Sequence, residues 1–309
     1  MQCNRRRFLM GAVLTMALGG CGRLGRVLSR PELPPNVADR YVWPEPPDPS
    51  RWPANGLSVA WIGHATFLLR LNGTTILTDP AFSNRVGLRP LGLMTVGPER
   101  LTPPALGLEE LPPLDLVLLS HAHMDHLDRP SLKRLPTKSP VVLAFDTREF
   151  VEDLGVGQLQ ELNWQETAEV GGVRIEALSV NHYGRRYPWD RDRGYNGYLL
   201  SKEGVTVLFA GDTAYTDRIT RALRGRRVDV ALFGIGAYNP WIRNHTNPEQ
   251  TWRMFQDIGA RYLIPMHWRT FSLSDEPILE PIERLKKAAG ASVARIPLDS
   301  IGQTWSLPG

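Results

Sequence analysis

The stretch Leu114-Asp115-Leu116-Val117-Leu118-Leu119-Ser120-His121-Ala122-His123-Met124-Asp125-His126 decides the fold of this chain. Its first half is an apolar run typical of a buried strand, and its second half places three histidines and an aspartate within six residues. Imidazole and carboxylate are ligands of zinc and related transition metals. Histidines two positions apart do not share one face of a helix, so this spacing indicates a loop or a strand end. The stretch therefore predicts a metal site where a buried strand stops.

Three further polar residues stand just beyond apolar runs. His182, Asp212 and His267 each follow a segment that predicts a strand. Taken singly, a histidine at such a position is more often structural, and an aspartate in Gly-Asp-Thr is more often a turn residue. Strand ends gathered at one edge of a sheet can converge on one site. The repeated pattern therefore indicates that all three residues join the cluster at residues 121–126.

The rest of the chain from residue 57 onward mixes short strands and helices. Thr66–Leu71 and Thr74–Thr78 are predicted strands, and Asn72-Gly73 between them is a strong hairpin signal. Pro248–Ile258 is a predicted helix that begins at a proline. Residues 81–113 contain many glycines and prolines and predict a long surface loop. Because early hairpins argue against a purely parallel sheet, we expect an α/β fold of two mixed sheets with outer helices.

The N-terminal segment predicts export and membrane attachment. Arg5-Arg6-Arg7-Phe8-Leu9 matches a twin-arginine signal, and the apolar stretch around it is too short to span a bilayer. Leu18-Gly19-Gly20-Cys21 resembles a bacterial lipobox, which predicts a signal peptide over residues 1–20 and a lipid on Cys21. A plain N-terminal anchor is the alternative. Eight prolines between residues 31 and 53 predict an extended tether over residues 21–56. The domain at 57–309 would then lie at the periplasmic face of a bacterial membrane.

The charge and the cysteine content argue against a nucleic-acid-binding protein and against a thiolate zinc site. The chain has 309 residues, with 36 basic and 32 acidic side chains. Three of the basic residues belong to the predicted leader, so the remaining near-neutral balance gives no support for nucleic-acid binding. The only two cysteines are Cys3 and Cys21, so we expect no disulfide. A structural zinc site made of four thiolates is impossible in the domain.

The motif and the strand-end residues, in this order, resemble the ligand set of the metallo-β-lactamase superfamily over residues 57–309. The resemblance implies an αββα sandwich with two metal ions in the crevice between the sheets. Zinc is the expected metal, and iron and manganese are the alternatives. The ligands implied are His121, His123 and His182 for one ion, Asp125, His126 and His267 for the second, and Asp212 as a bridge between them.

Two divalent ions held in this way are expected to bring the pKa of a bridging water to about 7 and to direct the resulting hydroxide at a carbonyl or phosphoryl group.

Further segments look like the N-acylphosphatidylethanolamine phospholipase D branch, which implies hydrolysis of a lipid phosphodiester. A lactonase of the ascorbate-phosphate type, or another ring-opening hydrolase, is the alternative, and a non-catalytic metal-binding lipoprotein is less favoured. An RNA-processing nuclease lacks support because there is neither basic surface nor inserted domain. The segments that carry the resemblance are Trp61–Thr66, Leu77–Pro80, Val96–Arg100, Gly236–Pro240 and Pro265–Trp268.

Two residues ahead of the motif are candidates for supporting roles. Metal-binding histidines usually donate their second N–H to a carboxylate or a carbonyl group. Asp79 is the predicted acceptor, and His64 is predicted to support the neighbouring position. An ordinary buried polar residue with a local hydrogen bond is the alternative for each.

The resemblance also suggests residues that act on the substrate. Asp125 is predicted to serve in catalysis as well as in metal binding, and His245 in substrate binding or proton transfer, with a solvated loop histidine as the alternative. Tyr183 and Tyr238 are weaker candidates for the mouth of the site. The loop at 81–113 is apolar for a surface loop, so it either packs on the sandwich or forms a lid or a lipid-facing surface. The expected partners are a lipid or small-molecule substrate and the membrane; the oligomeric state stays open.

Overall fold

The structure is a computed structural model, and it describes residues 46–90, 94–135 and 138–309. The predicted signal peptide, Cys21 and most of the predicted tether lie outside the described residues. No helix in the described ranges is long and apolar enough to cross a membrane. Trp52 is buried in the core, so packed structure begins before the predicted domain boundary at residue 57.

A seven-stranded mixed sheet contains the strands of the first half of the chain and the last strand. The order is β13-β1-β2-β3-β4-β5-β6, antiparallel from β13 to β3 and parallel from β3 to β6. Asn72 and Gly73 have φ values of +42° and +82°, as the predicted tight turn between β2 and β3 requires. The strands are β1 (Leu57–Gly63), β2 (Thr66–Leu71), β3 (Thr74–Thr78), β4 (Leu116–Leu119), β5 (Val141–Ala144), β6 (Leu159–Leu162) and β13 (Thr304–Ser306).

A six-stranded mixed sheet contains the other strands. They are β7 (Thr167–Val170), β8 (Val173–Ser179), β9 (Asn196–Lys202), β10 (Val205–Phe209), β11 (Val230–Gly234) and β12 (Tyr262–Met266). The order is β12-β11-β10-β9-β8-β7, parallel from β12 to β10 and antiparallel from β10 to β7. The sequence pattern did not predict β6 and β7, because each lies at a sheet edge and most of its side chains are not buried.

The α-helices are α1 (Arg129–Lys133), α2 (Arg218–Ala222), α3 (Pro248–Asp257) and α4 (Glu280–Ala289). Short 3-10 helices cover Pro49–Arg51, Leu108–Glu110, Arg148–Phe150 and Gly290–Arg295. Asn247 begins α3 with a capping box, in which its Oδ1 accepts a hydrogen bond from the Gln250 N–H at 2.9 Å. One hydrophobic core joins side chains of both sheets with those of α3 and α4. This is the α/β arrangement of two mixed sheets that the sequence predicts.

The predicted loop at 81–113 is partly ordered by pairing with itself. Leu88 and Val96 exchange backbone hydrogen bonds of 2.9 and 2.7 Å. A β-carbon on Gly87 would lie 2.1 Å from the Val96 carbonyl oxygen, so this close approach requires glycine. Val86 is buried beside Ala81 and Phe271. This part of the loop packs against the domain as a narrow ribbon.

The two sheets meet where β4 ends. His121 forms an antiparallel bridge with Tyr195, and the Asn196 N–H donates a hydrogen bond of 2.9 Å to the Ser120 carbonyl oxygen. Ser120 follows β4 of the first sheet, whereas Asn196 begins β9 of the second sheet. The histidine motif therefore begins in the crevice between the sheets.

Candidate metal centre

The structure brings all seven predicted ligands into two adjacent groups. Within each group, one ligand atom of every residue lies within 4.8 Å of those of the others. The division between the groups matches the division that the resemblance implies, with His64 added to the second group. The groups are His121, His123, His182 and Asp212, and then His64, Asp125, His126 and His267.

Asp212 lies between the two groups. Its Oδ2 atom is 3.1 Å from His267 Nε2 and 3.2 Å from His126 Nε2 in the second group. The same atom is 3.8 Å from His182 Nε2 and 3.9 Å from His121 Nε2 in the first group. One buried carboxylate oxygen thus faces histidines of both groups, which is the position that a bridging ligand requires.

The imidazole nitrogens of each group face one another at short range. His123 Nδ1 is 2.8 Å from His121 Nε2 and 3.1 Å from His182 Nε2. In the other group, His126 Nε2 is 3.2 Å from His267 Nε2. Burial lowers the pKa of His123 to about 3 and holds that of His121 well below its usual value, so both rings are neutral. The converging neutral imidazoles of the first group form a donor set that fits a divalent transition-metal ion, and a bound ion would replace a proton on the charged imidazoles of the second group.

The carboxylates of the centre stay charged although they are buried. Burial alone would raise the pKa of Asp212, but the charges of His126 and His267 outweigh it and hold that pKa well below its usual range. In return, Asp212 raises the pKa of His267 to about 9 against the effect of burial. The pKa of Asp125 is likewise held well below its usual range, because the charge of His126 outweighs the effect of burial. The centre therefore offers two anionic oxygen donors beside its histidines.

Asp79 and Ser120 orient one histidine of each group. Asp79 accepts hydrogen bonds of 2.6 Å from His126 Nδ1 and from Ser120 Oγ, and one of 2.7 Å from the Ser120 N–H. Because Ser120 donates its single hydroxyl proton to Asp79, its oxygen is left to accept from His121 Nδ1 at 2.9 Å. With their Nδ1 atoms engaged in these hydrogen bonds, His121 and His126 both direct Nε2 at the centre, and on the charged His126 a bound metal ion would take the place of the Nε2 proton. Asp79 lies where the sequence predicts, whereas Ser120 was missed.

His64 is held beside Asp125 by its backbone and its ring. Burial lowers the pKa of His64 to about 3, and its Nε2 lies 2.9 Å from Asp125 Oδ2. The His64 carbonyl oxygen accepts hydrogen bonds from Trp61 Nε1 at 2.9 Å and from the His267 N–H at 3.1 Å. The His64 N–H donates to Thr270 Oγ1 at 2.6 Å. His64 therefore links β1 to the segment that carries His267.

Three residues of the centre have strained backbones. The φ values of His64, Asp79 and His267 are +55°, +32° and +63°, in the left-handed region that residues other than glycine rarely adopt. Each such residue costs roughly 1–3 kcal/mol, and residues of this kind cluster at functional sites, where the surrounding structure enforces them. The strain therefore coincides with the predicted metal centre.

His245 and Tyr183 lie at the edge of the centre. His245 Nδ1 is 3.7 Å from Asp212 Oδ2, and the ring of the half-exposed Tyr183 is 4.5 Å from that of His123. His182 Nδ1 donates a hydrogen bond of 2.9 Å to the Asn244 carbonyl oxygen, so the loop before α3 orients a ligand. Burial lowers the pKa of His245 well below its usual value, which leaves its ring neutral at pH 7.

Tyr238 packs against α4. Its hydroxyl group donates a hydrogen bond of 2.8 Å to Glu280 on α4, and the Arg284 guanidinium lies over its ring at 5.0 Å. These contacts hold the buried ring against α4. That Tyr238 lines the mouth of the site stays a prediction.

Arg186 supports the motif loop and was missed in the sequence. Its Nη1 donates hydrogen bonds of 2.6 Å to the Ala122 carbonyl oxygen and 2.9 Å to the Leu127 carbonyl oxygen. These two carbonyls flank the part of the motif from His123 to His126. Arg186 therefore fixes both ends of the segment that carries three of the candidate ligands.

A crevice between two mixed sheets, lined by two groups of buried histidines and aspartates, defines the class of metal-dependent hydrolases with an αββα sandwich. The family model described as "Beta-lactamase superfamily domain" matches residues 74–268. The chain belongs to this superfamily, as the resemblance of its ligand motif predicted. It is a metal-dependent hydrolase of the metallo-β-lactamase fold.

Individual proteins agree with this assignment. The chain is 34% identical over 271 residues to an uncharacterized protein of Mycobacterium tuberculosis, covering 84% of this chain and 70% of that protein. It is 32% identical over 257 residues to N-acyl-phosphatidylethanolamine-hydrolyzing phospholipase D 1 of Caenorhabditis elegans, covering 77% and 71%. An isothiocyanate hydrolase from Delia radicum gut bacteria superposes with a TM-score of 0.66 at 18% identity, covering 81% and 99%, which shows the shared fold alone.

Proposed function

We propose that the protein is a dinuclear hydrolase of the phospholipase D type, acting on the phosphodiester of N-acylphosphatidylethanolamine-like lipids. The observation that carries the dinuclear part is the single Asp212 oxygen shared between two groups of donors. The similarity to a phospholipase D of C. elegans supports the choice of substrate. Zinc is the proposed metal, with iron or manganese as alternatives. Bound divalent ions would supply Lewis acidity to the reacting water and to the phosphoryl group.

The protein's own groups position the reactants. The Asp125 side chain is 16% exposed, against 2% for Asp212, so Asp125 is the carboxylate nearer the solvent. Its Oδ2 is held by His64, which leaves it oriented to hold a proton of the reacting water. The neutral ring of His245 can accept a hydrogen bond from the substrate. Tyr183, half exposed beside His123, is placed to contact the substrate at the mouth of the centre.

A hydrolysis screen of the metal-loaded protein tests the proposed substrate class. We expect release of N-acylethanolamine and phosphatidate from N-acylphosphatidylethanolamine, and slower or no turnover of a panel of lactones and β-lactams. The same preparation of an Asp212→Asn variant controls for contaminating hydrolases. Turnover of lactones without the phosphodiester would replace the proposal with the ring-opening alternative. Two bound metal ions with no turnover of either panel would favour a non-catalytic lipoprotein.

We infer further that the domain is exported and anchored by a lipid on Cys21, at the end of a signal peptide over residues 1–20 and before a tether over 21–56. The twin-arginine pattern and the lipobox support this inference. Labelled fatty acid should enter the wild-type protein and the Cys3→Ser variant, whereas the Cys21→Ser variant should stay unlabelled. Equal labelling of the Cys21→Ser variant would contradict the anchor.

A further inference from the structure

A second cavity lies beside the motif loop, outside the metal centre. Its volume is about 610 Å³, and its wall includes Met124 of the motif and Arg186, which holds the motif loop. The loop ribbon contributes Leu88, and the segment after α1 contributes Leu154. We call this space the loop cavity. Neither the proposed ligands nor the proposed mechanism uses it.

The wall of the loop cavity has an excess of positive charge. Five cationic side chains line it, against the two carboxylates of Asp128 and Asp153. Arg129 is paired with Asp153 at 2.6 Å, and Arg85 with Glu99 at 3.2 Å. The remaining cations, which have no carboxylate at ion-pair distance within the described ranges, are Arg89, Lys133 and Arg186.

Asp128 does not neutralise these cations at close range. Its Oδ2 accepts hydrogen bonds from Ser83 Oγ at 2.7 Å and from Ser131 Oγ. It also accepts one of 3.2 Å from the Ser83 N–H. The carboxylate is thus buried, and its Oδ2 is occupied by hydroxyl and amide donors of the protein.

Arg186 contributes an unsatisfied donor to the wall. Its Nη1 is occupied by the two carbonyls of the motif loop, but its Nε is buried and has no hydrogen-bond partner in the described part of the chain. The guanidinium also lies over the ring of Phe150 at 5.2 Å. A guanidinium with a buried, unpartnered N–H and with Asp128 beyond ion-pair distance favours an anionic ligand, because a carboxylate or phosphate oxygen would accept from that N–H and pair with its charge.

Other residues of the wall are apolar. Leu88, Leu154 and Val86 line it, together with Trp189. Trp189 is 76% exposed and stacks on Tyr187 with ring centroids 5.5 Å apart and an angle of 6°. A large exposed indole beside aliphatic side chains gives an acyl chain a surface to bury. The cavity thus combines unpaired cations with an apolar lining.

We propose that the loop cavity binds the anionic head of an acyl lipid, with the head on Arg186, Lys133 and Arg89 and the start of its chain against Leu88, Leu154 and Trp189. The proposal rests on the proposed function only for the source of the lipid, as substrate or product. Binding itself requires no hydrolysis. The cations recognise a phosphate head and a carboxylate head by the same negatively charged oxygens. A free anion without an acyl chain would make no contact with the apolar lining.

Calorimetric titration of the metal-loaded full chain with dodecyl phosphate and with laurate tests the proposal. Both probes should bind, inorganic phosphate and the neutral dodecyl maltoside should bind much more weakly, and added salt should weaken binding. The double variant Arg89→Gln/Lys133→Gln, which removes two exposed cations, should raise the Kd for both probes about tenfold. The matched variant Arg224→Gln/Lys287→Gln removes the same charges from exposed positions that do not line the cavity, and it should leave the Kd unchanged.

Equal affinity in both double variants would overturn the proposal, because the probe would then bind elsewhere. Equal affinity for inorganic phosphate and dodecyl phosphate would also overturn it, since the alkyl chain would then contribute nothing to binding. Hydrolysis of the lipid panel is measured separately. If the Arg89→Gln/Lys133→Gln variant binds the probes as tightly as the wild type while lipid is still hydrolysed, only the proposed lipid site in the loop cavity is rejected. If the probes bind in the cavity but no lipid is hydrolysed, only the proposed function is rejected.

Discussion

Replacing Asp212 with asparagine is expected to remove hydrolysis and to lower metal content together. The substitution keeps the shape of the side chain but removes the charge from the one carboxylate that faces histidines of both groups. Loss of an outer hydrogen-bond partner of a metal ligand costs roughly 10- to 100-fold in affinity or activity, and loss of the shared carboxylate should cost more. Elemental analysis after gel filtration and the rate of lipid hydrolysis measure the two effects.

An Asp79→Asn variant is the control for this prediction, because a smaller loss of activity is expected from it than from Asp212→Asn. Asp79 binds no metal in the proposed centre, but its carboxylate accepts hydrogen bonds from His126 and Ser120. This variant should keep two metals at high metal concentration and lose activity within the roughly 10- to 100-fold range of an outer partner. Unchanged metal content and activity in Asp212→Asn would contradict the bridging role, whatever Asp79→Asn does.

Replacing Trp61 with alanine is expected to destabilise the domain by about 3–5 kcal/mol and to weaken metal binding as well. Trp61 is fully buried, and its ring lies 5.6 Å from that of Trp268 and 6.4 Å from that of Phe67. Its Nε1 also donates to the His64 carbonyl oxygen, the atom that accepts from the His267 N–H. Urea denaturation measures the stability, and competition with a chelator measures the metal affinity.

A Phe255→Ala variant is the matched control for this second prediction. Phe255 is also fully buried, but it lies on α3 and packs on Trp252, without contact to the metal centre. It should lose a similar free energy of unfolding and keep the metal affinity of the wild type under folding conditions. If both variants weaken metal binding equally, the effect of Trp61 is a general loss of stability and the specific support of His64 is refuted.

The sequence predicted the fold and the gathering of the ligands because both depend on local patterns. Thr66–Leu71 and Thr74–Thr78 are strands with the predicted bounds, since each run is short and ends at a clear turn or polar residue. A polar residue after a buried strand marks a sheet edge, which is how His182 and Asp212 were found. Their convergence needs only that β8 and β10, which lie on either side of β9, end at the same edge of the sheet.

Residues that act over a long distance in the chain could not be predicted in this way. Arg186 holds carbonyls that lie about sixty residues earlier, and no pattern around it distinguishes it from the other arginines of a polar turn. The hydrogen bond from Tyr238 to Glu280 on α4 could not be predicted either, because Glu280 is also remote in the sequence. Ser120 was adjacent to the motif, and a hydroxyl group between a strand and a ligand is a signal that could have identified it.

The origin of the ligands has a mechanical consequence. The candidate ligands at residues 121–126 follow β4 of the seven-stranded sheet, whereas His182, Asp212 and His267 follow strands of the six-stranded sheet. Ions held by this set would clamp the two halves of the sandwich together, much as a disulfide cross-links distant parts of a chain. The sequence from residue 57 onward contains no cysteine, so a disulfide cannot link the two sheets. Metal loading would then set how readily the two sheets separate, in addition to supplying the chemistry between them.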